Sequence, residues 1–290
     1  MKFILIILGF LCTSLAFTQT SEKYNSDYSN FYRAEELFRK EQYAAARKEF
    51  RVFIDGFNHP NDPMYIKARY YEAVSALDLY NNDAINLLQG FNKNYPESIY
   101  KKDIFFRLSK FYYYKKKYDE ALVWLNKLSV QDIEEEDRDE FYFKLGYSNF
   151  KEKKLEASRS AFHEIKDGES QYAAPALYYY SHIAYHNEKY QLALNGFLKL
   201  QDDTKFGKVV PYYIAQIYYL QGKYEKVTEY ASQISNTDHI VNEKDMNHLI
   251  GDAYYRIGKY SKAVPYLEKY NKETETTRED DYRLGYAYFK

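Results

Sequence analysis

Two histidines four residues apart, His182 and His186 in the stretch SHIAYH, are the pair in this sequence most suggestive of chemistry. On a helix that spacing puts both imidazoles on one face, where they could share a metal ion. The zinc-protease pattern also needs a glutamate directly after the first histidine, and Ile183 stands there instead. No carboxylate in the same stretch completes a ligand set, so the two read as polar surface residues. His248 and Asp252 are likewise four apart, and neither has a nucleophile beside it. The acidic run at residues 131–140, QDIEEEDRDE, lacks both the ligand spacing and the turn glycine of a calcium loop. It reads as a solvated connector with carboxylates at a helix N-terminus, where the helix dipole favours them. There is no glycine-rich phosphate loop, serine elbow or pair of catalytic carboxylates. The expectation is a protein with no catalytic site, no metal and no cofactor.

The elements that carry these residues follow from composition and period. Apolar residues make up 46% of the 290-residue chain, too many for disorder, and no alternating strand pattern is present. Charged residues are 29%, yet the formal net charge is −1, which leaves no electrostatic footprint for nucleic acid. Aromatic content is 19%, with 36 tyrosines against one tryptophan. Tyrosine suits a helix surface that is half buried, being apolar in body and polar at its tip.

The stretch GDAYYRIGKYSKAVPYLEKY, Gly251 to Tyr270, reads as two amphipathic helices joined at Gly258. Tyr260, Ala263 and Leu267 recur at the spacing of a buried face, and Gly251 and Ala263 sit where the helices cross closely. Earlier copies begin at Tyr43, Asn81, Tyr118, Leu155, Tyr190 and Tyr224, most of them 34 to 37 residues apart. One hairpin has no core of its own and must stack on its neighbours. A helix–turn–helix unit of about 34 residues with this pattern resembles the tetratricopeptide repeat. The expected fold is all-α: a right-handed α-solenoid of about seven hairpins plus an incomplete eighth. Units fall near residues 30–57, 65–96, 100–128, 139–166, 174–201, 208–235 and 244–271, with a partial one at 278–290, following a polar lead-in at 19–29.

In the family that the chain resembles, the first helix of each unit lines a concave groove, notably at its fifth, ninth and twelfth positions. Registering the units by their turns puts Phe38, Ala76, Tyr113, Phe150, Tyr185, Tyr219, Tyr255 and Phe289 at the twelfth position. The fifth holds Phe31, Arg69, Phe106, Phe143, Tyr178, Tyr212, His248 and Tyr282. The resemblance implies an aromatic ladder on the inner face, with Phe38, Phe106, Tyr113, Phe143, Phe150, Tyr178, Tyr185, Tyr212, Tyr219 and Tyr255 as candidate binding residues. Such rings bury large area at low entropic cost. The same stripe would also arise from rings that only pack the first helices together. The lysine at the fifth and asparagine at the ninth position, with which some relatives hold acidic chaperone tails, do not occur together in any unit here.

Residues 1–18 have the architecture of a secretory signal peptide: an early lysine, a short apolar run and small residues before Ala16 and Thr18. Cys12, the only cysteine, follows Leu11, where a lipoprotein site needs a small residue. Its removal would leave no thiol, as suits an oxidising compartment. These features predict an exported protein, periplasmic or peripherally associated with the outer membrane, with no transmembrane span after signal removal. Units closing in motifs such as Tyr95-Pro96-Glu97-Ser98 are similar to those of envelope tetratricopeptide proteins of outer-membrane assembly and Tol–Pal complexes. The expected function is a scaffold that holds an extended peptide or partner protein in the aromatic groove. Two alternatives are a glycan-binding surface component and the recruiting arm of a longer protein. The second is suggested by Tyr282 to Lys290, which repeat a first helix without its second.

Overall fold

A left-handed residue closes each of seven turns: Glu41, Tyr80, Lys116, Lys153, Glu188, Gly222 and Gly258, with φ between 55° and 73°. In every case the next residue's N–H reaches back to a carbonyl five residues earlier, as Gln42 does to Leu37 and Lys259 to Tyr254. This arrangement satisfies the carbonyls that a helix end leaves open. The structure, a computed structural model, describes residues 27–234, 241–273, 275 and 277–290. The signal segment expected at residues 1–18, Cys12 included, lies outside the described residues.

The described residues form fifteen α-helices and no strand. They are α1 (Ser29–Arg39), α2 (Tyr43–Gly56), α3 (Pro63–Asp78), α4 (Ala84–Asn94), α5 (Lys101–Tyr114), α6 (Tyr118–Leu125), α7 (Arg138–Lys151) and α8 (Leu155–Ile165). Next come α9 (Ala173–His186), α10 (Tyr190–Lys199), α11 (Val210–Leu220), α12 (Tyr224–Ile234), α13 (Glu243–Arg256), α14 (Tyr260–Glu273) and α15 (Arg278–Phe289). Each odd-numbered helix up to α13 pairs with the helix after it into a hairpin, and hairpins that follow one another among the first three, or among the last four, stack. This is the all-α hairpin architecture that the period requires.

Starts are set by ordinary capping chemistry. Asp62 accepts from the backbone N–H of Met64 and Tyr65 ahead of Pro63, and Thr277 with Asp280 makes a reciprocal capping box at α15. The acidic run holds two short 3-10 turns, Val130–Asp132 and Glu135–Asp137, and puts Asp139 and Glu140 in the first turn of α7. In six of the seven second helices the buried pair is a small residue and a larger one four later, α12 with Val227 and Ala231 being the exception. Ala46 with Phe50, Ala121 with Leu125, Ala193 with Phe197 and Ala263 with Leu267 are all 0% exposed. Gly251 is needed where α13 crosses α14: a Cβ there would stand 2.7 Å from Leu267 Cδ2 and 3.2 Å from its backbone nitrogen.

The chain forms two compact units, Met1–Ile133 and Glu134–Lys290. The described part of the first holds α1 to α6, with cores around Phe31, Phe50 and Phe53, and around Val74, Leu88 and Leu108. The second holds α7 to α15, with cores around Phe162 and Ile183, and around Phe197, Ile214 and Ile217.

The turn geometry corrects one register. The left-handed residue of the second hairpin is Tyr80, and counting back from it moves that unit by one residue. Its fifth position is Tyr70 and its twelfth is Leu77, in place of Arg69 and Ala76; Ala76 is fully buried.

Candidate functional site

Of the ten candidate rings, nine are partly exposed, and only Phe106 is buried, at 5% exposure with the Lys110 ammonium 4.5 Å from its centroid. Their placement follows a rule that the sequence only half discloses. Five of the twelfth-position rings lean on the ring that opens the second helix of their own hairpin. Phe38 meets Tyr43 at 5.3 Å, Tyr113 meets Tyr118 at 5.7 Å and Tyr185 meets Tyr190 at 6.0 Å between centroids. Tyr219 meets Tyr224 at 5.4 Å and Tyr255 meets Tyr260 at 5.5 Å. These rungs are edge-on or tilted, the favoured geometry for ring quadrupoles.

A second set of rings stitches neighbouring hairpins. Phe38 packs on Tyr71 at 4.5 Å, Phe150 on Tyr179 at 5.0 Å and Tyr185 on Tyr213 at 5.4 Å. Tyr178 stacks on Phe206 at 4.8 Å, Phe143 lies 5.3 Å from Tyr172, and Tyr212 stands edge-on to Tyr213. Sequence reasoning missed Tyr71, Tyr179 and Tyr213. The available signal was the run of aromatic doublets, Tyr70-Tyr71, Tyr178-Tyr179 and Tyr212-Tyr213, in which one ring cannot share the other's face. Burial, with smaller contributions from neighbouring tyrosines, pushes the Tyr185 hydroxyl up to about 12, so it stays a neutral donor at physiological pH.

His182 and His186 do come together, with their Nε2 atoms 3.2 Å apart. His182 sits among Phe150, Tyr178 and Tyr213, and its Nδ1 is buried without a hydrogen-bond partner. Burial, and next the neighbouring His186, lower its pKa to about 4. Among the described residues no group of three or more potential ligands surrounds a metal position.

His248 and Asp252 do not meet. His248 stacks on Tyr270 at 4.4 Å, and its Nε2 lies 3.0 Å from Asp280 Oδ1. Asp252, whose side chain is 1% exposed, accepts from the Tyr219 hydroxyl and from Arg256 Nε, both at 2.5 Å, and pairs with Arg283 Nε at 2.9 Å. Unit one contains the same device. The Tyr70 hydroxyl and Arg107 Nε each donate to Asp103 Oδ2 at 2.6 Å. In both, the tyrosine lies 33 residues before the aspartate and the arginine four after it. Tyrosine and aspartate belong to the first helices of successive hairpins, so the bond is a clamp between repeats. Burial works against the charge of Arg107, and Asp103 beside it more than compensates, leaving its pKa above the ordinary value. The hydrogen bond to Asp252 does the same for Arg256. Charge in these clamps is committed to holding hairpins together.

No described helix is long and apolar enough to cross a membrane. No protein-family model and no curated protein matches the sequence. Among solved structures, a tetratricopeptide repeat protein from Parabacteroides merdae is 12% identical, with 90% of this chain and 98% of that one covered at a TM-score of 0.47. The C-terminal part of a TPR repeat-containing protein from Cytophaga hutchinsonii is 14% identical, with 93% and 92% covered at 0.46. A structure of Naa15/Naa10 bound to HypK-THB is 10% identical and superposes at 0.55, covering 90% of this chain and 39% of the longer one. At such identities the likeness is one of fold.

Proposed function

We propose that this chain is a binding scaffold of the cell envelope, holding an extended peptide or partner protein against its ladder of first-helix rings. The observation that carries the reading is the intermediate exposure of nine of the ten rings. Core rings of the same hairpins, such as Phe31, Phe50 and Phe162, are 0% exposed. A ring seated on its neighbours with one face open presents rigid apolar area, and it loses little side-chain entropy on contact. Export is supported by the pattern of residues 1–18, and partner capture on the periplasmic side of the envelope follows from it. The fold sets no chemistry by itself, and the paired charges near the ladder serve the clamps.

The test is capture from detergent-solubilised envelope with residues from Gln19 onward as bait. Beside it runs a variant with Tyr113, Tyr212 and Tyr255 changed to serine, which spares the Tyr70 and Tyr219 clamps. Circular dichroism and thermal melting accompany both. A variant that stays folded and loses a partner held by the parent supports the reading. A folded variant that keeps every partner removes the ladder as the binding surface.

A further inference from the structure

One hairpin breaks the rung rule. In six of the seven, at least one aromatic ring occupies the pair made by the twelfth position and the residue opening the second helix. In the second hairpin, counted from its left-handed residue Tyr80, that pair is Leu77 and Asn82. The helix α4 starts late there, at Ala84, so Asn81 is the other residue that could stand in the ring's place. It is asparagine too, and Arg47 holds its side-chain oxygen. Where the rung is missing, a cleft of about 800 Å³ opens between this turn and α5.

Leu77, Asn81 and Asn82 form one wall of the cleft, and Phe111 and Tyr114 line the other. Lys110 and Lys115 also line it, with the acid Asp78 and with Arg107, whose charge is paired with Asp103. A cleft of this size with apolar walls and a few convergent polar groups has the proportions of a ligand site.

Tyr80 adds an independent observation. A bulky residue with φ of 55° is strained by roughly 1–2 kcal/mol. Its side chain is 93% exposed, so burial returns almost nothing for that strain. The backbone conformation closes the turn, as at Glu41, Lys116, Lys153 and Glu188, while the ring itself is left exposed at the rim of the cleft. Tyr114, 68% exposed, stands on the opposite side.

We propose that this cleft is a subsite that accepts one aromatic side chain of an acidic partner peptide, in the space where other hairpins carry their own ring. The ring lies between Leu77 and Phe111, and carboxylates beside it in the peptide meet Lys110 and Lys115. Charge complementarity selects acidic flanks over basic ones. The inference rests on the scaffold reading and adds the chemistry of what the scaffold holds.

The probe is 4-hydroxyphenylacetate, an aromatic ring with one carboxylate, followed by saturation-transfer NMR on the full chain, with phenol and acetate as separate controls. Asn82→Tyr supplies the missing rung from the chain itself. Lys110→Glu reverses one charge on the surface of α5. Saturation of the probe's ring protons in the parent is expected, at least tenfold weaker affinity in each variant, and weaker binding of either control. Binding that is equal in parent and both variants, or no binding to the parent, overturns the subsite. Should Asn82→Tyr fail to fold, Lys110→Glu alone decides. Because the probe is read without any partner, the subsite can fail while ladder-dependent capture stands, and capture can fail while the probe still binds.

Discussion

The fifth position of the first helix does opposite things in the two units. In the first unit its occupants are core: Phe31 is 0% exposed, Tyr70 6% and Phe106 5%. In the second unit Phe143, Tyr178, Tyr212 and His248 are all partly exposed, and Tyr282 is 63% exposed. The clamp shifts in step. It grips the fifth-position tyrosine in the first unit, Tyr70, and the twelfth-position tyrosine in the second, Tyr219, two helical turns further along. Where the clamp's tyrosine is at position five, that rung is drawn inward. Where it is at position twelve, the fifth-position rings stay open to solvent. One sequence pattern therefore serves as packing in one unit and as surface in the other, and the second unit carries more of the open ladder.

The comparison breaks most visibly by truncation. Phe31→Ala should destabilise the first unit by about 3–5 kcal/mol, the usual penalty for emptying a buried ring site. Tyr212→Ala at the same register position should lose about 1 kcal/mol or less, because the ring is only partly removed from water. Urea unfolding of the two variants measures the gap, and equal losses would erase the distinction between the units.

A smaller effect separates the clamps. Asp252→Ala leaves Arg256 without its buried counter-ion, takes one of three carboxylates from Arg283 and should cost about 3 kcal/mol. The Asp103 side chain is 40% exposed, so Asp103→Ala should cost about 1 kcal/mol. Thermal melts of the two variants, run in low and in moderate salt, would order them, with Asp103→Ala the more salt-sensitive.

The third effect is a pH dependence confined to the second unit. His182 holds its folded pKa near 4, below the ordinary histidine value, so the unfolded chain takes up its proton first as pH falls. The stability that it contributes is complete above about pH 6.5 and is lost as the pH drops from there toward 4. His182→Phe should flatten the fall in melting temperature between pH 7 and pH 4.5. A variant whose melting temperature falls as steeply as the parent's would show that His182 titrates freely.

Much of this architecture is legible in the residues, and the remainder fails for physical reasons. The period of Tyr260, Ala263 and Leu267, with Gly251 opposite, is a local pattern, and local patterns dictate hairpins. The register of the second hairpin was not legible, because its left-handed residue is Tyr80 and glycine holds that place only at Gly222 and Gly258. Ring positions at the fifth site were readable, but their burial depends on which neighbour closes over them. The clamps were invisible for a similar reason. Tyr70 and Asp103 lie 33 residues apart on different helices, and neither type at that spacing is distinctive until stacking brings them together. His248 likewise turned away from Asp252, its neighbour on the same helix, toward Asp280 on the next first helix, α15.

The clamps join a repeat to its successor and never the two helices of one hairpin, so their energy enters only as a coupling between neighbours. In a stack of repeats, coupling of that kind governs how far an opening spreads and leaves each repeat's own stability alone. The second and third hairpins should exchange their amide hydrogens as one block, and so should the sixth and seventh. The fourth and fifth, joined by rings and by the exposed pairs Lys199–Asp167 and Asn187–Glu156 in place of a clamp, are left as the joint at which protection divides.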